Sequence, residues 1–191
     1  MATSMFVVFI GPPGVGKGTQ CRRLAERLGV PHLSTGEIFR QAIRQGTDLS
    51  EKAVAYIESG TLVPDELVVE LVTRRLAHED CDRGCVLDGF PRTISQADAL
   101  EAYLLSRGRA VDMVIQLVVP PAELERRLCE RAAGERRADD TPETIRRRFE
   151  VYSAATEPLV TYYRKRNLLQ VVDGVGDPAD VYGRVQQCVG Q

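Results

Sequence analysis

The sequence predicts an α/β fold, a five-stranded parallel sheet with helices on both faces, built as one domain of 191 residues. Three observations carry this. Short apolar runs alternate along the whole chain with stretches of helical periodicity, and strands that alternate with helices pair in parallel across helical crossovers. The run 113–119 is apolar almost throughout, as expected of a strand covered on both faces. The run Phe6 to Ile10 leads straight into Gly11-x4-Gly16-Lys17, the spacing of a phosphate-binding loop between a strand and a helix.

Each element follows from local signals. After the loop, Leu24, Ala25 and Leu28 share one face of a helix from Lys17, which Gly29 stops. The segment 30–33 is a short strand candidate. Ser34, Thr35 and Gly36 cap a helix through Ile38, Phe39, Ala42 and Ile43, and Ser50 caps another that ends at Gly60. Residues 61–64 are extended, because Pro64 pushes its predecessor out of helical space. Asp65 caps a helix to about Glu79. The third strand, 84–88, ends in the carboxylate of Asp88. Ser95 and Asp98 form a capping box for a helix to Arg107. Pro120 and Pro121 open a helix carrying Leu124 and Leu128, and 131–140, without apolar periodicity, is expected to be a loop. Thr141 and Pro142 start a long helix, proline standing in its permitted first turn, and Pro158 kinks or breaks it. A fifth strand, 168–172, and a helix from Asp177 and Pro178 complete the order. The domain carries two excursions, a helical insert at 34–63 and an arginine-rich loop at 130–140.

The totals bound the function. The hydrophobic share is 43%, the charged share 27% and the net charge −2. That balance gives no reason to expect nucleic acid or an anionic membrane as a partner. No apolar run approaches the ~18 residues of a membrane span, and no secretory signal is visible, so the expected compartment is the cytoplasm. Five cysteines form no framework, and Cys81-x3-Cys85 has no second ligand pair, so no zinc is expected. His32 and His78 stand alone and read as structural or surface residues.

The chemistry centres on phosphate. Glycines let the loop backbone wrap an anion, a helix start aims its positive end at it, and Lys17 adds a point charge. The strict motif has a hydroxyl after the lysine, whereas here Gly18 intervenes before Thr19. Asp88, at the end of a parallel strand, can organise Mg²⁺ directly or through water, or can serve as a cap. Arg40, Arg92, Arg131, Arg137 and Arg148 fall at segment ends or in the loop, where guanidiniums can hold transferring phosphoryl charge or simply face solvent. Between 123 and 148 eight arginines are offset by seven acids, so this stretch is no nucleic-acid patch. Serine, histidine and acid residues suggest no nucleophilic triad and no obvious general base. Transfer to an already anionic phosphate fits that absence.

The motifs, in order, are Gly11-Pro-Pro-Gly-Val-Gly-Lys-Gly-Thr-Gln20, Leu33-Ser-Thr-Gly-Glu-Ile-Phe-Arg40, Gly60-Thr-Leu-Val-Pro64, Leu87-Asp-Gly-Phe-Pro-Arg-Thr93 and Arg137-Ala-Asp-Asp140. With them the chain, from about residue 5 to its end, resembles the adenylate kinases among the P-loop nucleoside monophosphate kinases, in their short-lid form. The Gly18–Thr19 order is normal in that family. The resemblance implies the reaction ATP + AMP ⇌ 2 ADP with Mg²⁺, held near Asp88 and Thr19 through water, by a cytoplasmic monomer without zinc. It places ATP on Gly14, Val15, Gly16, Lys17, Gly18, Thr19, Arg131 and Gly176. It places AMP on Thr35, Arg40, Thr61, Leu62, Val63, Gly89, Phe90, Pro91, Arg92, Gln96, Arg137 and Arg148. Lys17, Arg92, Arg131, Arg137 and Arg148 are the implied catalytic set. Arg136 stands beside Arg137, and either can enter the site. Uridylate/cytidylate kinase and a nucleotide-binding regulator are the alternative functions, against which Thr35 and Gln96 favour adenine.

Overall fold

The computed structural model describes residues 5–45, 48–134 and 141–190, with side chains described outside 48–52 and 129–134. Strand β1 (Met5–Ile10) is the centre of the molecule. Its alternating side chains face opposite layers, because successive residues of a strand point to opposite faces. Phe6, Val8 and Ile10 enter one core cluster, and Val7 and Phe9 enter the other. Val7 and Val8 are wholly buried, each stabilising the fold by about 1.5–3 kcal/mol relative to exposure.

The other strands are β2 (His32–Ser34), β3 (Gly84–Asp88), β4 (Met113–Val118) and β5 (Leu169–Asp173). Among the described residues they form one parallel sheet in the order β2-β3-β1-β4-β5. Val8 pairs in register with Leu87 and with Val114. The chain crosses to one side of β1 for β2 and β3, then to the other for β4 and β5. That reversal opens a crevice beyond the carboxyl end of β1.

Helices cover both faces. On one, α4 (Asp65–Leu76), α5 (Ile94–Leu105) and α8 (Pro158–Arg164) contribute Val68, Val72, Leu100, Leu104, Leu159 and Tyr163. On the other, α1 (Lys17–Leu28), α6 (Pro121–Gly134) and α9 (Pro178–Val189) contribute Cys21, Leu24, Leu124, Val181 and Val185. Helices α2 (Thr35–Gln45) and α3 (Asp48–Ser59) form the insert, and α7 (Pro142–Val151) runs toward α8. Pro158 breaks that pair. A wide turn over Tyr152–Thr156 precedes it, with Glu157 N–H donating to the Tyr152 carbonyl at 2.9 Å. Among the described residues no helix is long and apolar enough to cross a membrane.

The structure corrects several local expectations. Helix α3 begins at Asp48, so Ser50 lies within it rather than capping it. Helix α4 ends at Leu76, and a separate turn follows over Glu79–Cys81. The cap of α5 is Thr93, whose Oγ1 accepts the Gln96 N–H at 3.1 Å, and not Ser95. A threonine two places earlier can reach an N3 amide just as a serine would, and here it wins. Helix α6 continues to Gly134 through part of the expected loop. Alanine favours helix by intrinsic propensity alone, so missing apolar periodicity at Ala132 and Ala133 did not mean missing helix.

Candidate active site

The phosphate loop closes the carboxyl end of β1. Gly16 holds φ +98° as it leads into α1, a left-handed backbone that a side chain would strain. Lys17 follows, and its Nζ donates to the carbonyls of Gly11 (2.6 Å) and Pro12 (3.0 Å). The ammonium thereby sits on the loop at the mouth of a cleft of about 490 Å³. Gly14, Gly16, Lys17, Gly18 and Thr19 line it on this side. Val15 is buried in the core, so only its backbone can serve a ligand.

The same cleft has a second wall. Thr35, Arg40, Thr61, Leu62, Val63, Gly89, Pro91, Arg92, Gln96 and Arg148 line it. Thr35 is buried, and its Oγ1 donates to the Gly89 carbonyl at 3.0 Å, pinning the start of α2 to the end of β3. Arg92 Nε donates to that same carbonyl at 2.8 Å. Gly60 stands close against Thr144 and Arg148, which sets the insert beside α7. Gln96 is 1% exposed, with Oε1 accepting the Arg92 N–H at 2.8 Å and Nε2 donating to Asp65 at 2.7 Å.

Charge is concentrated between the walls. The protein walls around Arg92 pull its pKa down, Asp88 opposes this, and Arg148 and Arg40 add to it, while the side chain stays open to the cleft. Three guanidiniums thus converge on one region, an arrangement that a highly charged anion would stabilise. Burial alone would raise the Asp88 carboxyl, but the imidazole of His32 beside it and the positive charges of Lys17 and Arg92 outweigh it. Asp88 is therefore held below the usual carboxylate range. His32 Nε2 lies 3.5 Å from Asp88 Oδ2. The histidine that seemed isolated in the sequence is the neighbour that steadies this carboxylate. Its register explains why, since β2 pairs His32 with Val86 and Ser34 with Asp88.

Cys21, His32 and Asp88 bring potential ligand atoms within 4.8 Å of one another. Burial pushes the Cys21 thiol well up, with Asp88 reinforcing it, so at neutral pH the sulfur is a poor ligand. The residues whose chemistry suits Mg²⁺ are instead Asp88, whose carboxyl is held low, and Thr19, both of which line the cleft.

Some expected residues lie elsewhere. Phe90 is buried behind the cis Phe90–Pro91 bond and is not part of the cleft lining. Gly176 is also absent from that lining and faces Asp180 and Arg184. The Arg131 side chain, Arg136 and Arg137 lie outside what the structure describes. One residue was missed. Arg127 lines the cleft, its guanidinium donating to Val15 O (3.2 Å) and Gly174 O (2.8 Å) and pairing with Glu123 at 2.6 Å. It was hidden among eight arginines in the stretch 123–148. Its place one turn before Arg131 was the signal available.

A phosphate loop and a second anion-holding wall across one cleft, on this sheet order, define a nucleotide phosphotransferase whose acceptor is itself a phosphate. A family model described as adenylate kinase matches residues 9–168. The chain is 47% identical over 190 residues to adenylate kinase of Thermus thermophilus, covering 100% of both chains. It is 49% identical over 180 residues to adenylate kinase of Thermobifida fusca, covering 94% of this chain and 95% of that one. To adenylate kinase of Archaeoglobus fulgidus it is 41% identical over 209 residues, covering 95% and 96%. The chain belongs to the adenylate kinase family.

Proposed function

We propose that this protein transfers the terminal phosphoryl group of ATP to AMP, reversibly, giving two ADP and so balancing the adenine nucleotides. The observation that carries this reading is that both walls line one cleft, with Lys17, Arg92 and Arg148 on it. ATP phosphates lie on the loop from Gly14 to Thr19, with Arg127 and Arg131 on that side. AMP lies on Thr35, Arg40, the 61–63 backbone, Gly89, Pro91, Arg92 and Gln96.

In the transfer, the bond between the terminal phosphorus and its bridging oxygen breaks, and an AMP phosphate oxygen forms the new one. The acceptor is anionic at neutral pH, so no general base is required. Lys17 follows the moving group, and Arg92, Arg148 and Arg137 hold the charge spread over it. Asp88 and Thr19 would hold Mg²⁺ through water, and the ion would supply charge neutralisation for the phosphates. Closing the cleft with the 34–63 insert and the 130–140 lid excludes water, which directs the group to AMP rather than to hydrolysis. We expect a cytoplasmic monomer.

A coupled assay with ATP-Mg and AMP, UMP, CMP or GMP tests the reading, and AMP is expected to be preferred. Preference for UMP or CMP would assign a pyrimidine monophosphate kinase, and ATP binding without AMP-dependent ADP formation would assign a regulator.

A further inference from the structure

Asp65 opens α4, where a carboxylate ordinarily stabilises the first turn through the helix dipole. Its side chain makes no cap to that helix and turns away toward α5. Oδ1 accepts from Gln96 Nε2 at 2.7 Å, and Oδ2 accepts from Thr93 Oγ1 at 2.7 Å. Thr93 in turn caps the helix that carries Gln96.

The chemistry of these partners fixes an orientation. A carboxylate only accepts, so it can be met only by the amide nitrogen of Gln96. A backbone N–H only donates, so Arg92 can be met only by the amide oxygen, which is the contact found at 2.8 Å. Flipping the amide would set oxygen against carboxylate and nitrogen against N–H. Gln96 is almost wholly buried yet lines the cleft. What it has left to offer a ligand is one N–H and one oxygen lone pair, each at a fixed place.

We propose that Asp65 is a specificity-positioning residue: it locks the polarity of the Gln96 amide so that the monophosphate site accepts a 6-amino purine and rejects a 6-oxo purine. This rests on the reading that Gln96 faces the acceptor base. Adenine offers a donor at its 6-amino group beside an acceptor at N1. Guanine and hypoxanthine offer the reverse, an acceptor at O6 beside a donor at N1. With sugar and phosphate held by the rest of the site, the base cannot turn over to compensate. A free amide could flip to suit either base. A locked one leaves the 6-oxo base facing like against like, and buried polar groups left unpaired are what make hydrogen-bonding sites selective.

The test is kcat/KM for AMP, GMP and IMP with ATP-Mg, measured for the wild type, Asp65→Ala, Asp65→Asn, Gln96→Ala and the double alanine variant. Asp65→Ala is expected to lower the AMP/GMP and AMP/IMP ratios by about tenfold, through KM more than kcat, and to add nothing further in the Gln96→Ala background. Asp65→Asn is isosteric and decides the matter should the alanine variant fail to fold. Its terminal amide can face either way, so the ratios fall by a smaller factor. An unchanged ratio in the Asp65 variants, or equal losses with every acceptor, would overturn the proposal while Gln96→Ala still lowers the ratio. If Gln96→Ala leaves the ratio unchanged, the assignment of the base site falls and the proposal falls with it.

Discussion

His32 Nε2 stands 3.5 Å from Asp88 Oδ2 across adjacent strands, both side chains largely buried. The pair ties the carboxylate that faces the cleft to the sheet edge behind it. The Asp88 carboxyl is depressed in the folded protein, so its contribution to stability is complete above its unfolded value of about 3.9 and is lost as pH falls through the lower folded value. His32→Gln removes one cause of the depression. The variant is expected to be less stable at neutral pH and to lose stability less steeply on acidification below about pH 4. Urea unfolding from pH 2 to 7 measures both slopes. Parallel curves would show that the imidazole does not hold Asp88.

Lys17→Met and Arg92→Ala each remove a positive charge from the cleft without cutting into the core. Each is expected to lower kcat by about 10²–10³ while the unfolding midpoint stays close to wild type. Steady-state kinetics beside thermal unfolding checks this, and near-normal turnover in either variant would contradict the assigned roles.

Gly84 opens β3 with φ +105°, and a Cβ there would overlap the Met5 backbone at the start of β1. Backbone cannot move aside as a long side chain can. Gly84→Ala is expected to cost more than about 4 kcal/mol, in the exceptional range for one methyl group. A urea midpoint, or failure to accumulate as soluble protein, reads the effect.

Tyr163 is wholly buried, and its hydroxyl has no hydrogen-bond partner among the described residues. Burying a hydroxyl unpaired is unfavourable. Tyr163→Phe keeps the ring and its edge-on contact with Tyr162 at 5.0 Å, and is expected to stabilise by about 1 kcal/mol. Calorimetry should show a rise of about 2–4 °C in Tm. A fall would mean that an internal water satisfies the group.

Signals that act over a few residues were legible in the chain. Phe6 to Ile10, the loop glycines and Thr141 with Pro142 each specify their element locally, and the structure has them there. Pro158 broke the long helix as its missing N–H requires. What escaped depends on strand register and on competition between neighbours. His32 meets Asp88 only because β2 lies beside β3, 56 positions apart in number yet adjacent in space. Thr93 and Ser95 are both good caps, and the choice falls to Thr93, whose hydroxyl also reaches Asp65 from another helix. Arg127 is distinguished from its neighbours only by which face of α6 meets the loop.

The strand order has a consequence for how the molecule is made. Between β1 and β2 lies the place of β3, which is not synthesised until residue 84. While the first eighty or so residues leave the ribosome, the central strand therefore has no neighbour on either side. Its apolar edges must be shielded by α1 or by a chaperone until β3 arrives and slots between them. Nascent chains stalled before and after Asp88 should differ sharply in protease resistance.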